Sequence, residues 1–123
     1  MRSKDKEGGL TIDCDTSTPG MAMVRLVGSL DAHTYEQAEE QIDDLIASGH
    51  CRVAVDASGL QYVSSAGIGV FIGALARTRK ENGNLILVNA SKSLLEVLAV
   101  LGVESMFFNA PDRVTALAFL SRR

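Results

Sequence analysis

The chain has 123 residues, 46% of them hydrophobic, and a formal charge of -3. That length suits one domain, and the apolar content supplies a real core, which excludes a disordered chain. The basic residues gather only in small groups (Arg77, Arg79 and Lys80; Arg122 and Arg123), too few for the broad positive surface that nucleic acid requires, so no nucleic-acid partner is expected.

Residues 1–9, polar and ending in two glycines, read as a flexible tail ahead of a domain over residues 10–121. "LTIDC" (Leu10–Cys14) and "MAMVRLVG" (Met21–Gly28) read as two strands, joined through the turn-forming "DTSTPG". The period then changes. Ala38, Ile42, Leu45 and Ile46 recur at helical spacing, with Thr34 as N-cap, Gln37 completing a capping box and Gly49 as the stop.

"CRVAVDASGL" returns to strand character, with Val53 and Val55 followed by Asp56 at the strand's end. A second helix runs from about Ser65 to Lys80, burying Ile68, Phe71, Ile72 and Leu75. "LILVN" (Leu85–Asn89) is apolar without alternation, as an interior strand is. A third helix buries Leu94, Leu95, Leu98 and Leu101 and stops at Gly102. "SMFFN" reads as a short last strand, and Pro111 falls in the first turn of a helix closing at Leu120.

The resulting order is β-β-α-β-α-β-α-β-α. Alternating strands and helices call for crossover connections, hence an α/β domain with a mixed, mainly parallel sheet of about five strands and helices packed against a face. Binding groups in such sheets collect at the carboxyl ends of the strands. Asp31, Asp56 and the pair Ser64–Ser65 all follow strand ends in this reading, so they are expected to gather at one edge.

Little of this looks catalytic. The serines lack the Gly-x-Ser-x-Gly elbow, and only His33 and His50 could serve as a base. Gly67, Gly69 and Gly73 do not have dinucleotide-binding spacing, and close packing of helix on sheet is the simpler reading of Gly67 and Gly69. Cys14 and Cys51, placed in strands, read as buried thiols. No metal, cofactor or membrane partner is expected. The beginning of the sequence shows no apolar signal, so a cytoplasmic setting is expected. Ser64 and Ser65 remain open between a helix cap and a phosphoacceptor.

Three segments together resemble the STAS family, specifically the bacterial anti-sigma factor antagonists. "GSLDAHT" matches a Gly-x-Leu-Asp-x-x-Thr signature at Gly28, Leu30, Asp31 and Thr34. "VAVDASGLQYVSSAGIGVFIG" is similar to the strand and turn carrying the family's phosphoacceptor, and "LGVESMFF" to its late Leu/Ser-Gly-Leu-x-x-Phe segment. The resemblance implies a regulator, not an enzyme. It places the phosphorylated serine at Ser65 and the motif glycine at Gly67, with Ser64 where the motif carries aspartate and Ala66 where it carries a second hydroxyl. Asp31, Thr34, Asp56, Ser64, Ala66 and Gly67 then form the implied partner face. The implied partners are an anti-sigma factor serine kinase and a serine phosphatase, and the implied state is a monomer or weak homodimer. The alternative implied is a STAS scaffold or ligand-binding module that no longer switches, with Ser64 capping the helix.

Overall fold

A computed structural model describes residues 4–5 and 9–122. Its elements are β1 (Lys4–Asp5), β2 (Leu10–Asp15), β3 (Met21–Leu30), α1 (Tyr35–Ala47), β4 (Arg52–Val63), α2 (Ser65–Lys80), β5 (Asn84–Val88), α3 (Lys92–Leu101), a 3-10 turn (Glu104–Met106), β6 (Asn109–Ala110) and α4 (Arg113–Ser121). The strands lie side by side in chain order. β1, β2 and β3 pair antiparallel, while β3 through β6 pair parallel. The expected five-strand mixed sheet is therefore present, with two-residue β1 as a sixth strand at its edge. The tail expected over residues 1–9 falls largely outside the described residues; Lys4 and Asp5 within it pair with Ile12 and Thr11.

Strand order explains where the helices go. Each parallel connection steps one strand in the same direction, and right-handed crossovers then put every crossover helix on the same face. α1, α2 and α3 bury Ile42, Ile68, Phe71, Leu75, Leu94 and Leu98 against Val24, Leu26, Val53, Val55, Leu85 and Leu87. Phe71 meets Phe107 edge to face, with ring centroids 6.4 Å apart.

α4 is a departure from the expectation of helices on one face. It crosses the opposite face, covering Met21, Met23, Ala54, Ile86 and Val88 with Ala116 and Leu120. This is why β5 reads apolar at successive positions: Leu85 and Leu87 face one layer, Ile86 and Val88 the other.

Other boundaries also differ from the sequence reading. "SMFFN" is not a strand; the 3-10 turn precedes β6, which is Asn109–Ala110. α4 starts after Pro111, because Asp112 takes the cap position and its carboxylate accepts the Thr115 N–H at 2.8 Å. On α3, Leu94 and Leu98 are buried but Leu95 and Leu101 are over 40% exposed, so the buried stripe is narrower than the leucine pattern. Cys51 precedes β4 instead of lying in it. Gly102 does end α3, at φ 72°.

Candidate functional site

The site begins with an irregular strand. From Arg25 to Leu30 the β3 residues pair with Asp56 to Val63, and two register shifts leave β4 the longer partner. Each shift is a bulge, which bends the strand that carries the extra residue. Asp56 secures the first: its Oδ1 accepts the Ser58 N–H at 3.1 Å and the Ser58 hydroxyl at 2.8 Å. Gln61 is the unpaired residue of the second, and its carbonyl accepts the Ser93 hydroxyl at 2.8 Å. The first turn of α3 is thereby tied to the end of β4.

The bulges correct one expectation. Asp56 is not at the end of its strand, because β4 continues to Val63. At about 3.3 Å per residue, that puts Asp56 roughly 20 Å from the serine pair. Its carboxylate is also occupied within its own strand, so the structure does not bring Asp56 together with Ser64 and Ser65.

Asp31 and the serines do come together. Leu30 and Val63, the last residues of β3 and β4, are register partners, and the Ser64 N–H donates to the Leu30 carbonyl at 2.9 Å. Asp31 and Ser64 therefore leave the sheet side by side, at the roughly 4.8 Å spacing of neighbouring strands. Gly67 permits the close approach of α2. A Cβ there would stand 2.7 Å from Leu30 Cγ and 2.8 Å from the Leu30 carbonyl oxygen. Close packing thus explains Gly67 but not Gly69, around which a Cβ would meet nothing within 4 Å.

The Asp31–Thr34 turn is held internally. Asp31 Oδ1 accepts the His33 N–H at 2.9 Å. The buried Thr34 hydroxyl accepts the Asp31 N–H at 3.0 Å and donates to the Ser29 carbonyl at 2.9 Å. Thr34 does precede α1, but it makes no side-chain cap, and Gln37 donates to the Leu10 carbonyl. The expected capping box therefore does not form: burial turns the hydroxyl back toward the strand end.

The two serines differ sharply. Ser64 takes the N-cap position of α2 in extended conformation, yet its side chain caps no amide. Its hydroxyl oxygen is buried and makes no hydrogen bond among the described residues. Ser65, the first helical residue, is exposed. Ala66 is half-buried and Gly67 buried. Beside them Tyr62 stands 56% exposed, with its register partner Ser29 at the end of β3. Sequence reasoning misses Tyr62; the signal for it is Val63, which is buried next to it, so that strand alternation turns the Tyr62 side chain outward.

The arrangement offers an exposed hydroxyl at a helix N-terminus, flanked by a carboxylate-bearing turn and an exposed aromatic. Among the described residues, no group of three or more His, Cys, Asp or Glu side chains could hold a metal. No described helix is long and apolar enough to cross a membrane.

The comparisons with known proteins make the class specific. The STAS domain profile matches residues 15–116. BtrV of Bordetella bronchiseptica, which carries the name of an anti-sigma factor antagonist, is 31% identical over 99 residues, spanning 80% of this chain and 85% of BtrV. An anti-sigma factor antagonist from Mycobacterium paratuberculosis superposes with a TM-score of 0.82 at 19% identity, covering 97% of this chain and 100% of that one. The Bacillus cell fate determinant SpoIIAA in its phosphorylated form superposes with a TM-score of 0.65 at 23% identity, covering 80% and 90%. The chain belongs to the STAS-domain family of anti-sigma factor antagonists, which are regulators and not enzymes.

Proposed function

We propose that this protein binds an anti-sigma factor that is also a serine kinase, and that phosphorylation of Ser65 ends the interaction. The observation that carries the reading is the contrast between the serines: Ser65 is exposed, whereas the Ser64 hydroxyl oxygen is buried. Only one of the two is open to a kinase. A phosphorylated form of SpoIIAA, which shares the fold, supports the same chemistry.

The physics of the switch is local. A phosphate adds roughly -1.5 to -2 charge. The amino end of α2 tolerates it, since the helix dipole there favours an anion by about 0.3–1 kcal/mol. A partner surface fitted to a neutral hydroxyl beside Asp31 does not. Asp31, the turn held by Thr34, Ser64, Ala66 and Gly67 form the partner face in this reading, with Tyr62 added. Asp56 acts at most indirectly, through the bulge. A serine phosphatase restores the binding form, the setting is cytoplasmic, and the protein acts as a monomer or weak homodimer.

The test is intact mass and peptide mapping after incubation with ATP and the cognate anti-sigma kinase, beside the Ser65→Ala protein. One phosphate on Ser65, absent from the variant, is expected. Ser65→Asp is expected to weaken kinase binding and Ser65→Ala to retain it. Tight binding with no phosphate transferred would instead indicate a scaffold that does not switch, a reading favoured by Ser64 and Ala66 in place of the motif residues.

A further inference from the structure

We propose that the cleft at the opposite end of the sheet from Ser65 binds a small planar anion, an aromatic body carrying a carboxylate, sulfonate or phosphate. The cleft encloses about 520 Å3, within the range of small-molecule pockets. Arg52, Asn82, Asn84, Phe119, Leu120 and Arg122 line it. They come from the start of β4, the connection from α2 into β5, and the end of α4. No residue is shared with the serine pair, so the inference does not rest on the switch.

The charge comes from two arginines. Among the described residues the ion pairs are Arg77 with Asp43 and Arg113 with Asp15, so neither Arg52 nor Arg122 has a carboxylate partner. Arg52 Nη1 donates to the Leu120 carbonyl at 3.3 Å, which leaves most of its five donors for another acceptor. Arg79 and Lys80 lie in the last turn of α2, just ahead of the cleft residue Asn82 in the chain, with Glu81 of opposite sign between them and it. In a chain of net charge -3, this end runs against the overall sign.

The planar requirement comes from Phe119. Its ring stacks on Phe108 at 4.4 Å between centroids and 16° between planes. Phe119 also lines the cleft, so a flat ring entering there extends an existing stack. One effect opposes an anion: α2 and α4 both end here, and the carbonyl ends of helices disfavour negative charge. Charge-assisted hydrogen bonds from two arginines are stronger than the partial charges of two helix ends, so the balance favours an anion.

The test uses anilinonaphthalene sulfonate as the probe, titrated into the full chain and followed by its fluorescence and by backbone amide chemical shifts. Saturable binding at one site is expected, with shifts at Arg52, Asn84 and Phe119. Arg52→Gln is expected to weaken it by about tenfold or more, as loss of a charge-assisted bond does. Phe119→Leu is expected to weaken it by about threefold. Leu95→Ser, on the exposed side of α3, is expected to leave it unchanged. Because Arg52 also bonds α4, Arg122→Gln is a second variant, at a side chain with no hydrogen bond or ion pair among the described residues, and it is expected to weaken binding several-fold. Non-saturable binding, shifts on α3 instead, or affinity unchanged in both arginine variants would overturn the proposal.

Discussion

Gly67 lies directly against Leu30, so that a Cβ at position 67 would stand 2.7 Å from Leu30 Cγ and 2.8 Å from its carbonyl oxygen. The side chain could shift, but the backbone oxygen is fixed by the Ser64 N–H. Gly67→Ala gains about 1 kcal/mol in helix propensity. Overpacking costs about 1–3 kcal/mol, and contact with backbone belongs at the upper end of that range. The variant is expected to be less stable by about 1–2 kcal/mol in urea denaturation. A stabilised Gly67→Ala protein would show that α2 does not need this approach.

Ser64 and Ser91 occupy equivalent cap positions and should respond differently. Ser91 Oγ accepts the Leu94 N–H at 3.2 Å, whereas Ser64 caps nothing. Ser91→Ala is expected to cost about 0.5–2 kcal/mol. Ser64→Ala is expected to be neutral or slightly stabilising, because it removes a buried oxygen without a partner. Equal losses in thermal denaturation of the two variants would contradict the difference.

Thr34 holds the turn that carries Asp31. Thr34→Val keeps the shape but leaves the Ser29 carbonyl and the Asp31 N–H without their partner. A loss of about 1–3 kcal/mol is expected. Thr34→Ser, which keeps the hydroxyl, is expected to lose much less. Urea midpoints of the two variants measure the contrast.

Asp15 gives a pH signature. The Ser17 backbone N–H, then the Ser17 hydroxyl and Arg113, hold its carboxyl at about 2, below the usual 3.8. A carboxyl lowered by folding stabilises the native state above its unfolded value, and that contribution disappears as pH falls through the folded value. The advantage of wild type over Asp15→Asn is therefore expected to be full above about pH 4 and to shrink toward pH 2. Urea denaturation of both proteins across that interval measures it; a constant difference would mean that the Ser17 and Arg113 contacts do not act on the charge.

Both thiols should react slowly. Burial, then Asp13, raises Cys14; burial, then Glu81, raises Cys51. Since thiolate is the nucleophile, alkylation by iodoacetamide at neutral pH is expected to be several-fold slower than for a short cysteine peptide. Peptide mapping after timed labelling reads both sites.

Most of the architecture could be read from periodicity. The second helix is legible from about Ser65 to Lys80, the bounds it has in the structure, because a polar pair precedes an apolar stripe and a basic turn follows it. In the first helix the expected stripe is met in part: Ala38 and Ile42 are buried, while Leu45 and Ile46 pack against the core half-buried. The second half of β4 was not legible, since two bulges break the alternation on which strand reading depends and put Ser58, Gly59 and Gln61 where a loop would have them. The sequence pattern therefore ends the strand at Asp56, seven residues short of Val63. In the site, proximity of Asp31 to the serines followed from parallel strands ending together. The unequal roles of Ser64 and Ser65 did not, because which hydroxyl is buried depends on how closely α2 meets Leu30.

The two faces of the sheet are not protected at the same time. α1, α2 and α3 lie between the parallel strands they cover, so that face can close as the chain is made. The other face waits for α4, which follows all six strands. Until then Met21, Met23, Ile86 and Val88 form an open apolar layer, a feature that invites aggregation of partly made chains. A chain cut before Arg113 would keep the serine site intact in sequence and still be a poor soluble domain.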